Sequence, residues 1–134
     1  MKLQAKGLIP IIAVLFAVTM LQSCFKDPAY PENSIEGTWR CQENSGPYGY
    51  RQYNVNVDRD TYDTARYTIF NLYNLGLNFE TYTQLSDSTL TILMTNSPET
   101  SISGFGIVHP KFKGIRWEFN VGSAGFVEAE FYRP

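Results

Sequence analysis

Past residue 36 the chain never holds a three-and-four apolar spacing for ten residues, so it offers no amphipathic helix; it alternates instead. In the stretch 50–58, Tyr53, Val55 and Val57 fall on one face and Gln52, Asn54 and Asn56 on the other. That period of two marks a strand with one buried face. Similar runs, each bounded by turn residues, predict strands over 38–43, 50–58, 65–73, 78–85, 88–94, 101–108, 114–121 and 126–133. The connections are short and rich in Asn, Asp, Gly and Pro. Gly104 and Gly106 suit a bulge or a sharp bend. Eight short strands so joined predict an all-β antiparallel meander, closed as an eight-stranded barrel or folded as a β-sandwich.

The N-terminus is of another kind. Lys2 and Lys6 precede an uncharged run over 7–23 with IPIIAVLFAVTML at its centre. A spanning helix needs roughly 20 apolar residues. This run is shorter, carries Pro10, and has no positive stop after it, so it reads as a secretory signal. It closes in Leu21-Gln22-Ser23-Cys24, which resembles the lipobox of bacterial lipoproteins. The resemblance implies cleavage before Cys24, a diacylglyceryl group on its sulfur and an acyl chain, such as palmitate, on the new N-terminus. Each buried CH2 contributes roughly 0.8 kcal/mol, so several chains on one residue hold a protein firmly on a membrane. The expected layout is a signal peptide over 1–23, a lipidated, Pro-containing linker over 24–36 and a barrel domain over 37–134. Cys24, as a thioether, cannot pair with Cys41, which is expected to be a buried small apolar residue. Phe25 follows the cysteine where an Asp would retain such a protein at the inner membrane. The expected location is the outer membrane, periplasmic or surface-facing.

Two ends of the barrel region carry a second resemblance. Gly37-Thr38-Trp39 opens the first strand and Arg133 closes the last. This resembles the calycin pattern of lipocalins and fatty-acid-binding proteins, and more narrowly the small lipocalin-like lipoproteins of Bacteroidota, which combine a lipobox, a GTW start and a strand similar to TIFNLYNLG. It implies that the Trp39 indole crosses the barrel floor and the Arg133 cation lies on it, worth roughly 0.5–2 kcal/mol. Alternation puts Arg133 on the face of Val127, Ala129 and Phe131, and Cys41 on the face of Trp39. Strands of about seven residues at ~3.3 Å each, tilted by ~40°, give a wall of about 18 Å. Trp39, Tyr53, Phe70, Leu72, Leu90, Ile92, Trp117, Phe119 and Phe131 point inward on this reading and fill most of that volume.

The polar residues name no reaction. The net charge of −2 and the lack of a basic stripe exclude a nucleic-acid partner. His109 stands alone in a turn, so neither a catalytic triad nor a histidine metal site is expected. Asp58, Asp60 and Asp63 crowd one turn without the Gly and closing Glu of a calcium loop, and Arg59 and Arg66 neutralise them. No metal, cofactor or catalytic residue is assigned. Glu118, Glu128 and Glu130 read as outward charges that guard an edge. Tyr48, Tyr50 and Tyr62 lie at turns and could contact a glycan or a protein partner. Asp63-Thr64-Ala65 and Asp87-Ser88-Thr89 resemble the O-glycosylation motif of Bacteroidota, which would modify Thr64 and Ser88. The expected function is a non-enzymatic, lipid-anchored envelope lipoprotein serving as a protein-interaction or inhibitor module. The alternative is a binding protein for a small apolar ligand or a glycan.

Overall fold

The computed structural model describes residues 34–134. The expected signal peptide, the expected lipidation site Cys24 and most of the expected linker lie outside the described residues. Eight strands follow in chain order: β1 Gly37–Ser45, β2 Arg51–Arg59, β3 Arg66–Phe70, β4 Glu80–Ser86, β5 Thr89–Thr95, β6 Ile102–Val108, β7 Gly114–Val121 and β8 Gly125–Tyr132. Each pairs antiparallel with its chain neighbour, and β8 returns to β1. The meander is therefore a closed barrel, and the sandwich alternative is set aside.

Because the strands alternate in direction, the connections alternate between two ends. Residues 34–36, the 60–65, 87–88 and 109–113 turns and Arg133 share the lower end. The 46–50, 71–79, 96–101 and 122–124 connections share the upper end. Inward residues fill the lumen. Trp39, Trp117, Phe119 and Phe131 have no exposed surface, and Cys41, Val55, Val57, Ile69, Leu90, Ile115 and Val127 pack with them. Trp117 and Phe131 rings lie 5.4 Å apart, and Tyr73 meets Phe119 edge-on at 6.4 Å, separations at which aromatic quadrupoles attract.

The third strand departs from expectation. It ends at Phe70 rather than residue 73, because Asn71 turns left-handed (φ 69°) and Leu72–Asn74 form a 3-10 turn. Asn tolerates this region because its short side chain bonds locally. Asn71 Nδ2 donates to the Asn54 carbonyl at 2.7 Å, and its Oδ1 accepts from the Gly76 N–H at 2.7 Å. The phase of the alternation changes there. Phe70, expected inside, sits on the outer wall next to buried Ile69, while Leu72 is buried from the turn rather than from a strand.

Two seams follow. β2 pairs with β3 only over Asn56–Arg59, and β5 with β6 only over Thr89–Thr91. β4 and β5 carry a register shift at Tyr82/Thr83 that leaves Leu93 as the extra, exposed residue. Gly104 and Gly106 sit at no register shift, so they do not make the expected bulge. They let neighbours approach instead. A Cβ on Gly104 (φ 149°) would collide with the Glu118 carbonyl and lie 2.6 Å from the Phe119 Cα, and one on Gly106 would lie 2.7 Å from the Trp117 ring. Gly104→Ala combines that overlap with a strained φ and is expected to cost about 3 kcal/mol or more, read by urea unfolding.

Candidate functional site

The lower end is closed by a cation on an indole. Gly37, buried and at φ 111°, starts β1. Two residues on, Trp39 lies across the floor with its Nε1–H donating to the Ile35 carbonyl at 2.8 Å. The Arg133 guanidinium sits 3.7 Å from the centre of the Trp39 ring. It donates to the carbonyls of Glu36 (2.9 Å) and Ser34 (2.6 Å). Arg133 thus ties the last strand to the residues that enter the first.

The upper end holds a polar cluster that the strand reading did not single out. Glu43 follows Trp39 and Cys41 on the inner face of β1 and is fully buried. Arg51, its cross-strand partner on β2, brings Nε to 3.0 Å from Glu43 Oε2. The contact is an ion pair without hydrogen-bond alignment: neither carboxylate oxygen receives a well-directed donor from the protein. The guanidinium lies against the rings of Tyr48 (4.4 Å) and Tyr73 (4.5 Å), which meet each other at 5.6 Å, with Tyr53 at 5.3 Å, and donates to the Tyr73 carbonyl at 2.9 Å. Burial pulls the Arg51 pKa down, but the close Glu43 carboxylate, with Tyr53 and Tyr73, outweighs that and leaves it raised. Tyr73 holds a left-handed conformation (φ 59°) that costs of order 1–3 kcal/mol for a residue of its kind. Its compensation is the Arg51 stack and an N–H donated to the Tyr53 hydroxyl at 3.0 Å.

Two acids in this cluster are held neutral. Cys41 is buried, carries no disulfide, and is pushed up to about 12, by burial first and by the Glu43 charge. Tyr53 is raised by burial and then by Cys41 and Glu43. The unfolded chain ionises these groups near 9.0 and 10.0. Their contribution to stability is therefore complete below about pH 9 and lost as pH rises toward 12. Native Cys41 is expected to resist iodoacetamide at pH 8 and to react fully in guanidinium, as intact mass would show.

The three tyrosines expected at a contact surface do not form one platform. Tyr48 and Tyr50 are 66% and 65% exposed at the upper end, whereas Tyr62 is 98% exposed on the 60–65 turn at the lower end. Tyr50 belongs to a patch on the outer wall, where Gln52 Nε2 donates to its hydroxyl (2.8 Å) and to that of Tyr132 (3.0 Å). Thr64 and Ser88 are both exposed, in turns of the lower end. Asp60 Oδ1 accepts the N–H groups of Tyr62 and Asp63 and has a lowered pKa from those bonds, and Asp63 pairs with Arg66. The carboxylates of this turn thus organise its backbone, and among the described residues no three metal-ligating side chains converge. His109 Nε2 lies 3.0 Å from Glu130 at the lower end. Glu118 faces Glu128 directly and Glu130 faces Arg116 across the last hairpin. The barrel is closed, so these residues have no edge to guard, which corrects the role expected for them.

The face shared by Trp39 and Cys41 extends to Glu43, a signal that the strand reading left unused, and the register places Arg51 opposite it. The stacking partner Tyr73 had no such signal, because it depends on the course of the 71–79 connection.

No protein family and no curated protein matches the sequence. Among solved structures the chain is similar to a redesigned β-barrel, at 7% identity and a TM-score of 0.56, over 81% of this chain and 99% of that one. At that identity the likeness concerns the fold alone: an eight-stranded antiparallel β-barrel.

Proposed function

We propose that the chain is a lipid-anchored, non-enzymatic module of the bacterial outer membrane that binds another envelope protein or a host protein through the upper end of its barrel. The observation that carries the reading is two well-exposed tyrosines at the upper end, Tyr48 against Arg51 and Tyr73, and Tyr50 joined through Gln52 to Tyr132 on the outer wall. Tyr and Arg are the residues that most often anchor protein interfaces. The chain enters the domain at the opposite end, so acyl chains on Cys24 would leave the tyrosines facing away from the bilayer. The Trp39–Arg133 contact supports kinship with the lipocalin-like lipoproteins of Bacteroidota, although it is a structural device and names no ligand. Inhibition of a protease or lysozyme is a special case of the same reading. A lumen occupied by aromatic side chains supports surface binding over carriage of a ligand inside.

The test places a photo-crosslinking amino acid at Tyr48, Tyr50 or Tyr62 of the full chain in its native envelope. A discrete protein adduct from Tyr48 or Tyr50, absent from Tyr62, is expected; adducts only from Tyr62 would refute the orientation. Mass spectrometry of the same material should find a mature N-terminus at Cys24 bearing acyl groups, lost in Cys24→Ser.

A second reading, small-ligand or glycan binding, is favoured by one feature: an amphipathic groove on the outer wall.

A further inference from the structure

We infer that this groove, between the outer face of β2 and the 71–79 connection, is a binding site for a neutral saccharide. Its lining includes neither Tyr48 nor Tyr50, so the two proposals can fail independently. Its volume is about 460 Å³, within the ~300–1,000 Å³ of small-molecule sites. One side is a polar row of Thr38, Asn54, Asn56 and Asp58; the other is apolar, with Phe70 and Leu77.

The shape is built into the fold. Above Asn56, β2 loses β3 as a neighbour because the chain leaves the sheet at Asn71. Asn71 then pins the departing connection to β2 through the Asn54 carbonyl. Asn71, Tyr73 and Asn74 all hold left-handed conformations (φ 69°, 59° and 57°). Asn tolerates this region, so Tyr73 is the strained member, and strain of that kind clusters at ligand clamps. The connection holds Leu77 out over the groove, 73% exposed, where it contributes nothing to the core.

The lining selects the ligand class by elimination. A purely apolar molecule would strip water from four polar side chains and return no hydrogen bonds, at a cost for each. An anion would meet Asp58 and no cation among the lining residues, with Arg40 set opposite Asn54 in the neighbouring strand. A cation would find only the Asp58 carboxylate, which already accepts from Asn56 Nδ2 at 3.0 Å. A sugar fits both sides. Its C–H face can lie on Phe70 and Leu77, since the negative face of an aromatic ring attracts polarised C–H groups. Its hydroxyls, each donor and acceptor, can meet amides that are both as well. The internal bonds from Thr38 to Asn56 (3.3 Å) and from Asn56 to Asp58 order the row and leave each amide further donor and acceptor capacity. Phe70, the side chain that alternation placed inside, is thus the aromatic floor of an outside site.

The test titrates the isotope-labelled full chain, in detergent micelles, with cellobiose, maltose and N,N′-diacetylchitobiose. Saturable amide shifts clustered at 54–58, 70 and 77 are expected for at least one of them. Phe70→Ala and Leu77→Ser should each weaken that binding about tenfold or more, and Tyr48→Ala should leave it unchanged. Both groove variants change outer-wall residues, and an unperturbed core spectrum confirms folding. The proposal is overturned if no sugar gives saturable shifts, if the shifts centre on Tyr48 and Tyr50, or if decanoate occupies the groove as well as the sugars do.

Discussion

Trp39→Ala is expected to destabilise the barrel by about 3–5 kcal/mol, the range for removing a large buried aromatic. For a domain of this size that corresponds to a fall in Tm of roughly 15–30 °C. The indole has no exposed surface, donates a hydrogen bond to Ile35, and carries the Arg133 guanidinium on its face. Three effects are lost together: buried area, the Ile35 bond and the cation–π contact. Trp39→Phe separates them. It keeps most of the apolar volume and loses the donor and much of the ring's attraction for a cation, so about 1–2 kcal/mol should remain. Thermal unfolding followed by far-UV circular dichroism measures both. A loss below about 1 kcal/mol for the alanine variant would mean that the floor is not closed by this residue.

The second large effect is expected at the Glu43–Arg51 pair. Removing one member of a buried ion pair strands the other, which typically costs 3–5 kcal/mol. Arg51 keeps about a fifth of its side chain in water, so solvent screens part of the interaction and Arg51→Ala should cost about 2–4 kcal/mol. Glu43→Gln should cost less, about 1 kcal/mol, because the guanidinium left behind can reach water and still stacks on Tyr48 and Tyr73. The double change Glu43→Met with Arg51→Met removes both charges and fills similar volume. It should recover most of the loss or exceed the parent in stability, since paired apolar replacements often do. Urea unfolding of the parent, Glu43→Met, Arg51→Met and the double variant completes the cycle. Additive losses would contradict the pairing.

Much of this architecture was readable from alternation. All eight strands lie within a few residues of their expected bounds, because each buries one face and so repeats at a period of two. Trp39, Cys41 and Glu43 share one parity, and so do Val127, Ala129, Phe131 and Arg133, which locates the plug and the buried carboxylate alike. The separation of Tyr62 from Tyr48 also follows from topology, since successive turns of a meander lie at opposite ends. What escaped alternation was Phe70. Its neighbours Tyr67 and Ile69 point inward, but the expected strand ran on to Tyr73 and took its phase from Leu72. The break at Asn71 is set by tertiary bonds to Asn54 and Gly76, which no local pattern encodes. The groove depends on that same break and was invisible for the same reason.

Surface binding by a filled barrel is the claim on which the functional account rests, and the chain carries its own reporter for it. Its two tryptophans, Trp39 and Trp117, both lie in the lumen with no exposed surface. Titrating the full chain in micelles with a fluorescence-quenching, doxyl-labelled fatty acid reads the lumen directly. The account predicts emission that shows no saturable quenching beyond that of the micelle alone. Saturable quenching at one fatty acid per chain would mean that the interior opens to a ligand and would contradict it.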